Sequence, residues 1–298
     1  MKNIFYAFLL LSSTLICPKG LLAQNNPRVE IAYHRGIQQE DFNWSIAGNS
    51  SGQNPNVYSE LKWKNLRGTV NAADINVRIW KHFVVFGGYS KTILSSGDVN
   101  DTDYGADNRT NPVYNQNFNN RGGYMDSWHA GLEYRYAPCS AFYIIPGAGY
   151  GRNRQSLNII DESGRFSNLN SSYADSWSGP FVQVKAQYYI IPKLNVAVNC
   201  RYNQVNYQGQ ADWNLISQFR HPVSFTDDAK GYGINTDAAI AYTIIPHLKL
   251  HVAAGYYYWE TGKGNDRLYL QDGAIDLTQF NGAYRKGYSF TGGVSFYF

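Results

Sequence analysis

Apolar and polar residues alternate along several segments of this chain, the pattern of strands with one apolar and one polar face. Tyr288–Phe298 alternates in this way, with an aromatic residue last. In residues 182–187 the even positions are apolar and the odd positions are polar. A strand that faces lipid on one side and a polar lumen on the other has this period of two. The pattern therefore favours membrane-spanning strands.

Short and long connections separate these segments in turn. Short ones are predicted at residues 80–82, 137–139, 191–193 and 245–247, and the last three contain proline, which cannot continue a sheet ladder. Long polar ones, rich in Gly, Asn, Asp and Ser, are predicted near 40–57, 98–121, 152–172, 209–229 and 263–283. Five long and four short connections require ten strands. We predict an all-β fold, a ten-stranded antiparallel transmembrane β-barrel with long outer loops and short periplasmic turns.

Composition is compatible with this barrel. The mean hydropathy of −0.42 is that of a soluble protein, and a soluble all-β domain is the alternative. Because only every second residue of a spanning strand faces lipid, a membrane barrel can have the same average. The 25 Tyr and 7 Trp suit aromatic girdles at the two membrane interfaces. Segment 173–190 exceeds the roughly 10 residues that a spanning strand needs, so we expect the barrel to project above the membrane with a largely filled lumen.

The N-terminus has the features of an export signal. Lys2 precedes a largely apolar run, 4–16, and Ala23 offers a small residue for cleavage. We expect a signal peptide over 1–23 and one barrel domain over 24–298, without a transmembrane helix. Without the signal, 24 Lys and Arg face 22 Asp and Glu, which is no nucleic-acid footprint. Cys139 and Cys200 are expected as separate thiols, since one falls at a turn and the other within a strand.

Two aspartates in the second predicted loop are the first candidates for chemistry. Asp101 and Asp103 point the same way if the segment is extended. Two close carboxylates repel, so one can keep a proton and the pair can activate a water molecule. A solvated loop or a calcium site would explain the same residues.

The fourth predicted loop offers a second pair. Asp212 and His221 would be a competent acid–base couple if they met, and this loop could face Asp101 across the barrel mouth. A surface histidine before proline is the plainer interpretation. Near the outer end of the second strand, Lys62, Lys64 and Arg67 could bind lipopolysaccharide phosphates or serve as lumen or rim charges. No zinc, phosphate-loop or dinucleotide motif is present, so we expect no cofactor and no metal.

These segments resemble, in order along nearly the whole mature chain, the omptin family of outer-membrane endopeptidases. The similar segments are Ser59–Lys64, Gly97–Tyr104, Gly179–Phe181 and Asp212–Asn214. The resemblance implies that Asp101 and Asp103 match the catalytic Asp-x-Asp pair and that Asp212 matches the aspartate of Asp-x-His. Terminal Phe298 and Phe296 resemble the C-terminal signature of outer-membrane proteins. The chain also resembles a wider group of omptin-like barrels, including those of chlamydia-related bacteria.

One difference from the omptin pattern decides between two functional hypotheses. Asn214 stands where the family has its histidine, and an amide cannot accept a proton at neutral pH. If His221 replaces it, the barrel is an endopeptidase acting on peptides at an extracellular Asp-lined cleft, with Asp101, Asp103, Asp212 and His221 as its catalytic residues. Otherwise it is a non-catalytic surface barrel for adhesion, lipopolysaccharide binding or envelope structure. In both cases the expected location is the bacterial outer membrane, with membrane lipid as a partner. A narrow channel is disfavoured by the barrel's size.

Overall fold

The computed structural model describes residues 28–298, and the expected signal peptide lies outside them. Thirteen strand segments make up the fold. They are β1 (Val29–Ile46), β2 (Ser59–Arg78), β3 (Phe83–Ala106), β4 (Thr110–Asn119), β5 (Tyr124–Tyr134), β6 (Tyr136–Cys139), β7 (Phe142–Ile160), β8 (Asn170–Ile191), β9 (Leu194–Asp212), β10 (Phe225–Ile245), β11 (Leu248–Thr261), β12 (Gly264–Tyr269) and β13 (Ile275–Tyr297). No helix among these residues is long and apolar enough to span a membrane.

The thirteen segments form a closed ring of ten antiparallel strands, which confirms the predicted fold class. The β4, β5 and β6 segments lie between β3 and β7 as one interrupted strand, and β11 and β12 do the same between β10 and β13. Ring closure comes from β1 and β13, which pair from Glu30–Tyr297 to Ile46–Phe280. Closure leaves no sheet edge unpaired, as a spanning sheet requires.

A band of exposed apolar side chains surrounds the lower part of the ring. Ile31, Val85, Val184 and Val252 belong to it, and each occupies an outward position of its strand. Exposed aromatic residues border the band on both sides. Toward the long loops they are Tyr89, Trp128, Tyr150, Tyr202, Tyr256 and Tyr288, and toward the short turns they are Trp80, Tyr134, Tyr136, Tyr242, Phe296 and Phe298. The expected aromatic girdles are thus present.

The strands continue well beyond this band, and the predicted long loops were too long. The outer connections are 47–58, 107–109, 161–169, 213–224 and 270–274. Residues 98–106 and 110–119 form a ladder between β3 and β4 instead of a loop. Above the membrane the outward residues are mostly polar and the apolar residues face the lumen, so the alternation is inverted there. Asn100 illustrates this, since its amide donates to Asn115 and Asn117 at 2.8 and 2.9 Å.

Packed rings fill the lumen of this outer part. We call them the aromatic core: Phe42, Trp44, Trp63, Tyr173, Trp177, Tyr207 and Phe280, all at most 2% exposed. Trp63 and Tyr173 come from opposite parts of the ring, and their centroids are 5.7 Å apart. The filled lumen expected from barrel size holds in this part. The lower part instead encloses a cavity of about 1640 Å³.

The two mature cysteines do not pair with each other. Cys200 is free and exposed on the outward face of β9. The expectation that Cys139 and Cys200 do not pair is therefore confirmed, and Cys200 is a separate thiol as expected.

Candidate functional site

The Asp-x-Asp pair lies on the outer part of β3. Asp101 and Asp103 stand opposite Leu61 and Ser59 of β2. Since strand residues two apart share a face, both carboxylates point to the inner side, as does buried Leu61. The last apolar residue in the exposed band of β3 is Ile93, eight residues lower. The pair therefore lies outside the membrane, at the rim above the aromatic core.

Burial and mutual repulsion change the acidity of this pair. Burial, and then the charge of Asp103, raise the pKa of Asp101 to about 7. Burial also raises the pKa of Asp103, and a hydrogen bond with Ser59 partly opposes this. Burial and then the two carboxylates raise the pKa of neighbouring Tyr114 to about 12. At neutral pH the pair can share a proton, as a pair that holds or activates a water molecule must.

The Asp212–His221 pair exists in the structure. Asp212 ends β9, and His221 lies in the following loop with its Nδ1 2.6 Å from Asp212 Oδ1. The other ring nitrogen, Nε2, is 3.2 Å from the carbonyl oxygen of Ile216. Both partners are hydrogen-bond acceptors, so each ring nitrogen is placed to donate. A neutral imidazole donates from one nitrogen only, and in this structure its two nitrogens contact Asp212 and Ile216 rather than Asp101 or Asp103.

The two pairs are not brought together. No contact among the described residues joins Asp101 or Asp103 to Asp212 or His221. Ala211 faces the aromatic core and is 2% exposed, so strand alternation directs Asp212 to the other face of the sheet. The expected meeting of these four residues across the mouth is therefore not observed. Their catalytic roles stay a prediction.

Asn214, at the position of the missing histidine, connects two outer loops. Its side-chain oxygen accepts from the backbone N–H of Asn170 at 2.9 Å and from Ser171 Oγ at 3.1 Å. Its amide nitrogen donates to the carbonyl of Asn168 at 2.8 Å. The asparagine thus uses both ends of its amide to hold loop 213–224 against loop 161–169. This is a structural role that an imidazole would not reproduce.

A buried carboxylate that sequence reasoning overlooked lies on the face of β2 and β3 opposite to the acidic pair. Glu60 is 3% exposed, and its carboxylate accepts from Arg109 Nη2 at 2.9 Å and from Lys62 Nζ at 2.5 Å. Burial works to raise the pKa of Glu60, but the hydrogen bonds and charges of Arg109 and Lys62 outweigh it and lower the pKa. Lys62 is thus committed to an ion pair. Arg109 lies 49 residues after Glu60 in the sequence, so no local sequence pattern indicated this contact.

The remaining basic candidates face outward. Lys64 and Arg67 lie on the outer face of β2, and Lys286 lies in the same region on β13. Arg67 Nε donates to Gln39 Oε1 at 2.8 Å. Lys64 and Lys286 form no ion pair among the described residues. All three are exposed just above the outer girdle residue Tyr288. No group of three or more His, Cys, Asp or Glu in residues 28–298 could hold a metal ion.

A closed ten-stranded barrel with a lipid-facing band between aromatic girdles defines the protein as an outer-membrane β-barrel. The family model of the Protochlamydia outer membrane protein, Pom, matches residues 32–298, and the chain belongs to that family. It is located in the bacterial outer membrane, with its loops outside the cell.

A solved structure agrees with this fold. The outer membrane protease OmpT of Escherichia coli superimposes with a TM-score of 0.75 at 15% identity, covering 93% of this chain and 99% of OmpT. The resemblance to omptins is therefore confirmed for the fold. The translocator domain of the autotransporter NalP from Neisseria meningitidis matches with a TM-score of 0.42 at 11% identity, over 100% of this chain and 98% of that domain. No curated protein matches this sequence.

Proposed function

We propose that this protein is a non-catalytic surface barrel that keeps the OmpT-like scaffold and binds lipopolysaccharide around its outer circumference. The observation that carries the proposal is the placement of His221. Both of its ring nitrogens are occupied by acceptors, and it does not contact Asp101 or Asp103. Among residues 28–298 no histidine contacts the acidic pair, which favours a non-catalytic role.

The outward cations support the lipid-binding part of the proposal. Lys64, Arg67 and Lys286 lie together above the outer girdle, at the height of lipid headgroups. Arg67 is oriented by a neutral amide and forms no ion pair among the described residues. Phosphates of lipopolysaccharide are strong acceptors for such groups.

A second candidate function is peptide hydrolysis at the acidic pair. It is favoured by one observation, the Asp101 pKa of about 7 beside Asp103, which suits a carboxyl group that shares a water molecule. Strongly shifted acids also occur in purely structural sites. We therefore rank this function second.

One set of measurements tests both functions. Refolded barrel would be incubated with a fluorogenic peptide library, with and without lipopolysaccharide, alongside Asp101→Ala and His221→Ala. We expect no turnover by barrel shown to be folded by its heat-modifiable gel migration. Turnover that disappears in both variants would overturn the proposal in favour of a peptidase.

Lipid binding is measured separately. Lipopolysaccharide affinity should fall about a hundredfold or more in the double variant Lys64→Gln/Lys286→Gln, since each lost charged contact is worth roughly 1.5–3 kcal/mol. The matched control is Lys81→Gln, at a periplasmic turn that the outer leaflet does not reach. Equal affinities in all three proteins would reject the lipid-binding site.

A further inference from the structure

The lower half of the barrel encloses a large polar cavity that has no role in the function proposed above. Its volume is about 1640 Å³. Lys81, Lys193 and His247 of the short turns line its lower end, so it reaches the periplasm. Gln38 and Trp259 line its upper end, where the aromatic core begins. The cavity is thus a vestibule that is closed toward the outside.

Positive charge dominates the wall of this vestibule. Seven Lys and Arg line it, against three Asp and Glu. A further carboxylate, Glu133, is buried next to the lining residues and forms ion pairs with two of them, Arg135 and Lys185, at 3.5 Å each. Among the described residues neither Arg201 nor Lys249 forms an ion pair. Cations within a membrane-spanning barrel are costly unless water or an anion compensates them.

Neutral groups hold these two cations in place. Arg201 donates to the side-chain oxygen of Gln183 from Nε at 3.0 Å and from Nη2 at 2.8 Å. Its guanidinium lies over the ring of Phe181, 4.1 Å from the centroid. Lys249 Nζ lies 4.5 Å from the ring centroid of Tyr297. An amide and two rings orient the cations, and the carboxylates of Asp237 and Glu30 line the same wall without forming an ion pair with either.

A chain of hydrogen-bonding side chains adds polar groups to the same wall. Asp74 Oδ2 lies 3.0 Å from His34 Nε2, and His34 Nδ1 lies 2.7 Å from His251 Nε2. His251 Nδ1 in turn lies 3.3 Å from Ser295 Oγ. The serine is only 3% exposed and cannot reach a substrate, so the chain is not a nucleophilic triad. It fixes the histidine rings that face the cavity.

We propose that this vestibule binds a small anionic solute, bearing phosphate or several carboxylates, that enters from the periplasm. Arg201 is its principal cation. Lys249 lies nearer the periplasm, since Arg201 is paired with Asn235 of β10 and Lys249 with Thr243, eight residues further along that strand. The volume exceeds the roughly 300–1,000 Å³ of ordinary ligand pockets, which leaves room for a solute and its water. Closure by the aromatic core makes the site a binding vestibule that is accessible from one side.

Calorimetric titration of the refolded, full barrel with pyrophosphate tests the proposal, with spermidine as the cationic comparison. Two variants remove the cations singly, Arg201→Gln and Lys249→Gln. Lys263→Gln is the control, because it removes an equal charge from an exposed outer position that belongs neither to the vestibule nor to the proposed lipopolysaccharide site. Heat-modifiable migration verifies that each variant is folded.

We expect saturable pyrophosphate binding that weakens about tenfold or more in Arg201→Gln, weakens less in Lys249→Gln, remains unchanged in Lys263→Gln, and has no counterpart with spermidine. Three results would each overturn the proposal. They are no pyrophosphate binding by folded wild-type barrel, equal affinity in the wild type and Arg201→Gln, and weakening in Lys263→Gln as large as in Arg201→Gln. The last result would assign phosphate binding to non-specific surface charge.

Discussion

The imidazole of His221 lies 2.6 Å from the carboxylate of Asp212, yet this pair stands apart from the acids with which it would have to cooperate. Nine residues separate the two along one loop, so the contact closes that loop on itself. The second ring nitrogen is bound by the carbonyl of Ile216 within the same loop. The pair is best understood as a clasp of loop 213–224.

His221→Ala should therefore loosen the loop without affecting the barrel. A partly exposed ion pair contributes about 0.2–1 kcal/mol, so local opening should increase a few-fold. Hydrogen exchange across 213–224 measures this, and protection of β9 below Asn206 serves as the internal reference. Unchanged exchange in the loop would show that the clasp contributes nothing there.

Asp101→Asn should change how the stability of the barrel depends on pH. The folded state holds this proton with a pKa of about 7, against the usual value of 3.8. Between these two values the unfolded chain has released the proton and the folded chain has not. Rising pH therefore favours unfolding across that window and has no further effect through this group above pH 7.

The stability of Asp101→Asn relative to the wild type should accordingly increase from pH 4 to pH 8. Thermal unfolding in detergent, followed by tryptophan fluorescence, measures the difference. Asp276→Asn, an exposed carboxylate on β13, is the control. Parallel pH profiles for wild type and Asp101→Asn would show that the carboxyl group is solvated rather than buried in solution.

Much of the barrel could be predicted because its turns and its lipid-facing strands carry strong local signals. Proline at positions 138, 192 and 246 falls at or beside three of the four short turns of the structure. The outer strand segments were mistaken for loops because their outward residues are Asn and Asp, as at Asn100. Hydrogen bonding between neighbouring strands holds these segments extended, and composition does not reveal it.

Only those features of the candidate site that depend on neighbouring residues in the sequence could be predicted. Alternation correctly placed Asp101 and Asp103 on one face, since this depends on neighbours in the sequence. Contacts between distant residues were not predictable. His34 meets His251 because ring closure sets β1 beside β13, whose other neighbour is β11, and these two residues are 217 positions apart. The vestibule, assembled from many strands, was missed for the same reason.

Glu40→Gln should destabilise the barrel strongly. Glu40 and Arg285 lie under the aromatic core with side chains 0% and 5% exposed, and Arg285 Nη2 is 2.6 Å from Glu40 Oε2. Gln155 and Tyr257 donate to the same carboxylate. Removing one charge leaves a buried guanidinium uncompensated, which costs about 3–5 kcal/mol.

Urea titration of barrel reconstituted in vesicles measures that loss. Glu162→Gln is the matched control, because Glu162 pairs with Arg121 at 3.5 Å on the surface, where a pair contributes about 0–1 kcal/mol. Similar small losses in both variants would mean that water enters the buried site.

The Asn214→His variant tests whether a histidine at position 214 is enough to make the barrel a peptidase. The substitution restores the residue type that the resemblance to omptins would place there. In this structure it would also remove the acceptor for Asn170 N–H and Ser171 Oγ. We expect no peptide turnover, because loop 213–224 does not contact Asp101 or Asp103, and a loss of about 1–2 kcal/mol from the broken bridge between loops. Asn214→Ala should lose a similar amount, which separates the effect of the amide from that of the ring. Turnover gained by Asn214→His alone would show that the loops can approach the acidic pair, and that a single substitution abolished catalysis on this scaffold.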